Sequence, residues 1–375
     1  SFAIGDYVKV EDNYKDLPVA YWVYPENQNE AFRSFGKTPD MLDYFNKLTG
    51  ISYPFEKYDQ VIVSEFMWGG MENITLTHNT DRTMHDSKAQ PDHSSDGLVA
   101  HELAHQWFGN MITTRNWANI WLNEGFATYF SRLYLTKDRG KDEGDYIRFN
   151  EIRGFKSADK RKRRPTVDYN YEEPFELFSS HVYAKGSLIL NMLHDVLGDD
   201  AFWMSIKHYT AKNKLKNVET VDLKKSIEVT TGQNLDWFFK QWVYEPGFPE
   251  YDVSWTYNQR NKLLSLHVKQ VQDLKTTSLF KMPINVLIDN GTVEEHVIWV
   301  EDLDSVFKIH TDKRPRMVVF NSGLKVPSNL KMQKSVSDLK YQLINAPNVL
   351  DRIWAAQQLS KKKGRKIVEY ALLES

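Results

Sequence analysis

Hydrophobic and polar positions alternate from the first residues of the chain (Phe2, Ile4, Tyr7, Val8, Val10), which predicts strands over 1–27 with Pro18 and Pro25 as breaks. Helical spacing takes over from about Glu30 to Leu48, with a restart at Thr38-Pro39 and a stop at Gly50. After Tyr53-Pro54, the apolar run from Asp59 to Glu65 reads as a buried strand. It leads through Trp68-Gly69-Gly70-Met71-Glu72-Asn73 into a short strand from Ile74 to His78. The polar stretch Asp81 to Ser95 reads as a loop that caps the next helix. From there to about Tyr244 helices dominate: Gly97 to Phe108, Trp121 to Thr136, His181 to Leu197, Asp200 to Lys212, Thr220 to Thr231 and Leu235 to Tyr244.

The period changes from helix to strand at Glu245-Pro246-Gly247-Phe248-Pro249. Beyond it, Tyr251, Val253, Trp255 and Tyr257 alternate with polar residues, and later runs do the same around an Asn290-Gly291 hairpin turn. A small β-sandwich over 248–325 is expected. After Val326-Pro327, Leu339, Leu343, Val349, Ile353, Ala356 and Leu359 return to helical spacing. This reads as the start of a helical array over 326–375. Such arrays stack several units to bury their faces, so a longer native chain is expected.

Composition narrows the function classes. A chain of 375 residues predicts two or three domains, and 41% hydrophobic with 26% charged residues is globular. A formal charge of -2 gives no global attraction to nucleic acid or anionic membrane. The run Lys160-Arg161-Lys162-Arg163-Arg164, between Asp159 and Pro165, reads as a solvated loop. No apolar stretch reaches the ~18–20 residues that span a bilayer, and Ser1 to Val10 lack the pattern of a signal peptide, so the compartment is left open. With no cysteine, any metal must be held by His and carboxylates.

That donor set is present. His101-Glu102-Leu103-Ala104-His105 is H-E-x-x-H, and on a helix i and i+4 share a face about 6 Å apart along the axis, so two imidazoles can hold one zinc. Glu102 is then placed to act as general base on a water at the metal's open position. Glu124, nineteen positions after His105 on the next predicted helix, supplies a third ligand. Two His and one Glu with an open position is the catalytic zinc arrangement. Asn123 and Thr128 flank Glu124 and are candidates to orient the imidazoles.

Three motifs now stand together: Gly69-Gly70-Met71-Glu72-Asn73 as G-x-M-E-N, the zinc motif closed by Glu124, and Tyr183 in Tyr183-Ala184-Lys185-Gly186. In order and spacing the chain resembles the aminopeptidase N family of gluzincin metallopeptidases. The likeness runs from about residue 10 to the end and is strongest between 50 and 250. It implies a multidomain α+β architecture. Residues 1–12 would be the remnant of an upstream β-domain and 13–247 a thermolysin-like, mainly helical zinc-peptidase domain. The β-sandwich and the start of the helical domain follow. It also implies one zinc ion on His101, His105 and Glu124, with Glu102 and Tyr183 catalytic and Tyr183 on the oxyanion. Glu72 would bind the substrate's α-ammonium, with Gly69, Gly70, Met71 and Asn73 of the same motif alongside the substrate. Trp68 would floor the pocket for the first substrate residue. The expected partners are peptides with a free N-terminus, and no nucleic acid or membrane span. In the family an upstream β-domain supplies another polar group for that amine, and here only its last strand is expected.

Chemical grounds support these roles. A carboxylate in a partly dry site binds an ammonium through charge-assisted hydrogen bonds, and a phenol is a neutral donor to a developing oxyanion. Glycine pairs let a substrate backbone lie close as an added strand. His181, near Tyr183, is a candidate to line the cleft. The other histidines outside the zinc motif, and the Trp237, Phe238, Phe239, Trp242 cluster, read as surface or packing residues. Two alternatives stay open: epoxide hydrolysis on a lipid substrate by the same metal, and a noncatalytic scaffold.

Overall fold

The computed structural model describes residues 1–90 and 92–362; Pro91 and the part of the expected helical array over 363–375 lie outside the described residues. The chain divides into two compact units. The first comprises Ser1–Gly144 and Thr166–Leu235, and the second comprises Asp145–Pro165 and the residues from Asp236 on.

The first unit is built on a five-stranded sheet of β1 (Val8–Tyr14), β2 (Leu17–Val23), β3 (Tyr58–Val63), β4 (Gly70–Met71) and β5 (Leu76–Thr80), in the order β1-β2-β3-β5-β4. The inner pairs β2/β3 and β3/β5 are parallel, and the edge pairs β1/β2 and β4/β5 antiparallel. β3 is the predicted apolar run and is buried from Tyr58 to Ile62, as a central strand must be. β1 pairs with β2 from Val8↔Val23 to Tyr14↔Leu17, so the expected remnant over 1–12 joins this sheet from Val8 on. Pro18 does not break the strand: it is the second residue of β2, where a proline is tolerated.

Helices cover the sheet. α1 (Ala31–Phe35) and α2 (Thr38–Thr49) realise the bent helical stretch; α2 has Pro39 in its first turn and stops at Gly50, whose φ of 72° is the left-handed cap that glycine allows. α3 (Asp96–Ala104) carries His101 and Glu102 of the H-E-x-x-H motif, with His105 capping its end, and α4 (Trp121–Arg139) carries Glu124. A two-stranded parallel ribbon, β6 (Ile112–Thr114) with β7 (Lys216–Val218), was not legible as strand in the sequence. After the basic run come α6 (Ala184–Leu197), α7 (Asp199–Asn213) and α8 (Thr220–Thr231). An aromatic core locks α3 and α4 behind the motif: Phe108 stacks on Phe126 at 4.2 Å between ring centroids, Phe126 on Tyr209 at 5.9 Å, and Phe45 meets Trp107 edge-on at 6.0 Å.

One helix was not predicted. α5 (Lys141–Arg161) follows Gly140, and its residues from Asp145 on belong to the second unit. It includes Lys160 and Arg161, so the basic run straddles a helix end rather than lying in a loop. Lys160 to Arg163 are exposed, as expected of a solvated run, with Arg163 also donating to Asp159 at 2.9 Å and Thr277 at 2.7 Å; only Arg164 is buried.

The rest of the second unit is the expected sandwich. One sheet has β11 (Val293–Val300), β10 (Met282–Asp289) and β13 (Met317–Phe320); the other has β12 (Asp304–His310), β9 (Leu263–Gln270), β8 (Glu250–Asn258) and β14 (Asn329–Met332). Tyr251 of β8 meets Phe320 of β13 at 5.1 Å across the interior. The predicted helix over Leu235 to Tyr244 is a single turn, α9 (Asp236–Phe239), continued as a π-helical turn. Past Pro327 the chain first forms β14 and only then α10 (Val336–Asn345) and α11 (Val349–Ser360). Among the described residues no helix is long and apolar enough to cross a membrane.

Candidate metal and active site

α3 is short and apolar, with Val99, Ala100, Leu103 and Ala104 all buried, so its position is fixed by packing. Its last turn turns His101 and His105 toward Glu124 in the first turn of α4. The imidazole Nε2 atoms lie 3.1 Å apart, and Glu124 Oε2 is 3.3 Å from His101 Nε2 and 3.2 Å from His105 Nε2. Glu124 Oε2 is buried and accepts no hydrogen bond. Burying a carboxylate oxygen without a donor is costly unless something positive meets it. Zinc bonds of about 2.0–2.1 Å in a tetrahedron put ligand atoms about 3.3 Å apart. The triangle therefore fits zinc.

The ring of His105 is set by its other nitrogen, since Nδ1 lies 3.0 Å from the Phe108 carbonyl and the N–H it donates there leaves Nε2 free as a ligand atom. This corrects the sequence expectation. Asn123 hydrogen bonds to neither ring, the Thr128 hydroxyl makes no hydrogen bond, and the orienting group is main chain.

Carboxylates crowd this centre. Burial raises the Glu102 pKa; His105 opposes that and Glu72 and Glu124 add to it, leaving the carboxyl pushed up to about 8. For Glu124 burial pulls upward too, but His105 and His101 outweigh it and hold the carboxyl down to about 2. His105 is buried, which disfavours its charge, yet Glu72 and Glu124 bring it up to about 10. His101 is lowered, mainly by burial.

Glu72 arrives from the opposite side. β4 is the edge strand of the sheet, and Glu72, directly after it, puts its Oε1 3.8 Å from His105 Nδ1. Two amides clamp the Glu72 carbonyl: Gln106 donates at 3.0 Å and Asn110 at 2.6 Å. The Gln106 Oε1 also accepts from the Thr75 N–H at 3.3 Å, at a residue whose φ of 60° is costly for a β-branched side chain. Asn73 Nδ2 is 3.0 Å from His78 Nδ1, on the paired strand. Gly70 has a reason beyond backbone approach, because a β-carbon there would collide with the Glu102 carboxylate. Gly69 is exposed and its carbonyl accepts from Thr80, while Met71 is partly exposed. Gln106 and Asn110 were missed in the sequence, since both meet a main-chain carbonyl.

Tyr183 stands immediately before α6, its carbonyl accepting from Ser187 at 2.9 Å. Its ring stacks beside His101 at 6.1 Å, and burial together with Glu124 raises its pKa. The phenol therefore remains a neutral donor. Trp68 is half exposed and stacks on Phe175 at 5.9 Å; Phe175 and Phe178 lead ring to ring toward Tyr183. His181 does not open to the cleft: it is 2% exposed and held 3.2 Å from Ser179 Oγ.

Known proteins resemble this chain over most of its length. It is 26% identical over 347 residues to leucyl aminopeptidase of Saccharolobus solfataricus, covering 87% of this chain and 43% of that one. It is 28% identical over 325 residues to glutamyl aminopeptidase of Bitis rhinoceros, covering 83% and 33%. It is also 28% identical over 259 residues to probable aminopeptidase 1 of Sulfurisphaera tokodaii, covering 67% and 33%. The chain thus spans less than half the length of these relatives. In fold it matches the crystal structure of Legionella pneumophila aminopeptidase A in complex with aspartic acid, with a TM-score of 0.86 at 21% identity, over 99% of this chain and 45% of that one. Residues 33–242, more than half of the chain and the whole of the metal triangle with Glu72, Glu102 and Tyr183, match the peptidase family M1 domain, and the chain belongs to that family.

Proposed function

We propose that the chain carries the machinery of a zinc aminopeptidase, which removes single residues from peptides with a free N-terminus. The observation that carries this reading is one arrangement: a His101-His105-Glu124 triangle of 3.1–3.3 Å edges with His105 and Glu124 buried, and the Glu72 carboxylate 3.8 Å from His105. The metal is held by those three residues. When bound, zinc supplies a water acidified to a pKa of about 7 and a Lewis acid for the scissile carbonyl.

The chain's own groups do the rest. Glu72 accepts hydrogen bonds from the substrate's α-ammonium, which fixes the first peptide bond, and no other, over the metal centre. β4 is the last strand of its sheet, which supports a substrate backbone running past Gly69 and Gly70 as an added strand. Met71 and Asn73 hold the motif in register through their contacts with β5. Trp68 meets the first side chain. Glu102 takes the proton of the attacking water and returns it to the departing amine, a task suited to a carboxylate whose pKa is pushed up to about 8. Tyr183 donates its phenol hydrogen to the developing oxyanion without adding positive charge beside the metal.

The test is the product series from an unblocked peptide of several residues, followed by mass spectrometry with zinc present. The expected outcome is loss of one residue at a time from the N-terminus. Internal cleavage as the first event would contradict the proposal.

A further inference from the structure

The three metal ligands stand on α3 and α4, whereas Tyr183 rides on α6, so something must set the distance between these two parts of the site. At the site end of the α4–α6 contact two glycines face each other. Gly125 directly follows the ligand Glu124, and Gly186 lies in the first turn of α6, three residues after Tyr183. A β-carbon on Gly186 would lie 2.8 Å from the Gly125 Cα, and one on Gly125 would lie 2.9 Å from the Gly186 Cα and carbonyl carbon. These are backbone atoms, which cannot rotate away as a side chain can. Ordinary carbon contacts need about 3.5–4.0 Å, so any side chain at either position must part the helices by roughly 1 Å.

Further along, the same two helices are pinned by polar contacts. Arg132 of α4 donates to Asn191 at 3.0 Å and Ser187 at 3.3 Å, and the Tyr129 hydroxyl is 2.7 Å from His194 Nδ1. A methyl wedged at the glycine pair would therefore tilt α6 about its clamped end and carry Tyr183 outward, leaving α3 and α4 in place. We propose that the Gly125–Gly186 contact is a positioning device that sets the phenol of Tyr183 against the metal centre. This rests on the oxyanion role given to Tyr183 above. A displacement of about 1 Å in a reacting group can cost about a hundredfold in rate.

The test is Gly186→Ala in the full chain, alone and combined with Tyr183→Phe, with Gly125→Ala placing the methyl on the other face of the same contact. Crystal structures, zinc content, and kcat and KM on an aminoacyl fluorogenic amide are measured. The expected result is an intact ligand triangle with unchanged zinc content, Tyr183 displaced by about 1 Å, and kcat lowered about a hundredfold with KM little changed. On the Tyr183→Phe background Gly186→Ala should lower kcat no further. An undisplaced Tyr183, an unchanged kcat, or an effect that multiplies with Tyr183→Phe overturns the proposal. So does loss of the folded state in both glycine variants, which would make the contact a requirement of the fold. Tyr183→Phe with the parent's kcat would instead overturn the oxyanion role, and the crystal structures alone would then decide whether the glycines position the ring.

Discussion

At the scale of single residues, the site is an economy of shared charge. One buried carboxylate oxygen meets two imidazole nitrogens, and burial raises the pKa of a second carboxyl beside them, that of Glu102. Replacing Glu102 by Gln keeps the shape and removes that basicity, so zinc content should stay near one per chain while kcat falls about 10²–10⁴-fold; parallel metal analysis and steady-state kinetics check both. The grouping of His101, His105 and Glu124 was legible because two His at helical spacing and a Glu on the next helix are a local pattern, and the structure brings the three together. Gln106 and Asn110 were not legible. Their partner is the main-chain carbonyl of Glu72, 34 and 38 positions away, and a carbonyl leaves no trace in a sequence. The same holds for the Phe108 carbonyl, which orients His105 in place of the expected Asn123 or Thr128.

Among the elements, α3 shows how a functional helix is anchored. Asp96 opens its first turn, where a negative charge complements the helix dipole, and accepts from Lys37 at 3.0 Å and Arg139 at 2.7 Å. Burial alone would raise its pKa, but Lys37 and Arg139 hold the carboxyl below its ordinary value. A depressed carboxyl pKa means that its stabilisation is present above the unfolded value of about 3.9 and is lost as pH falls through the folded value. Asp96→Asn should therefore cost roughly 1–2 kcal/mol at pH 6, with the gap to the parent closing below pH 4 in urea titrations. A gap that persists at low pH would assign the loss to packing. Element prediction succeeded where apolar residues carry the pattern, as in α4 and β3. It failed at α5, where much of the buried face is charged: Asp145, Arg148, Glu151 and Asp159 are all buried, with Arg148 donating to Asp145 and to the Gly323 carbonyl. A hydrophobic period cannot report a helix buried partly through its ion pairs. β14 failed differently, since four residues after a proline offer too short an alternation to tell from a loop.

For the whole molecule, the metal should be part of the fold's stability, because the fold holds the His101, His105 and Glu124 ligand atoms together at 3.1–3.3 Å, a spacing that zinc fits. Free zinc at a hundredfold excess over its Kd should stabilise the chain by about 2.7 kcal/mol, so chelation should lower Tm by roughly 3–4 °C in a thermal melt. The match to family M1 spans the ligand triangle and Glu72 alike, and the central proposal is that Glu72 restricts cleavage to peptides with a free N-terminus. The most direct test is a pair of peptides identical except for N-terminal acetylation, cleaved by the zinc-loaded chain under one set of conditions. The free peptide should be cleaved and the acetylated one not; equal cleavage of both would contradict a role for Glu72 in binding the substrate's amine.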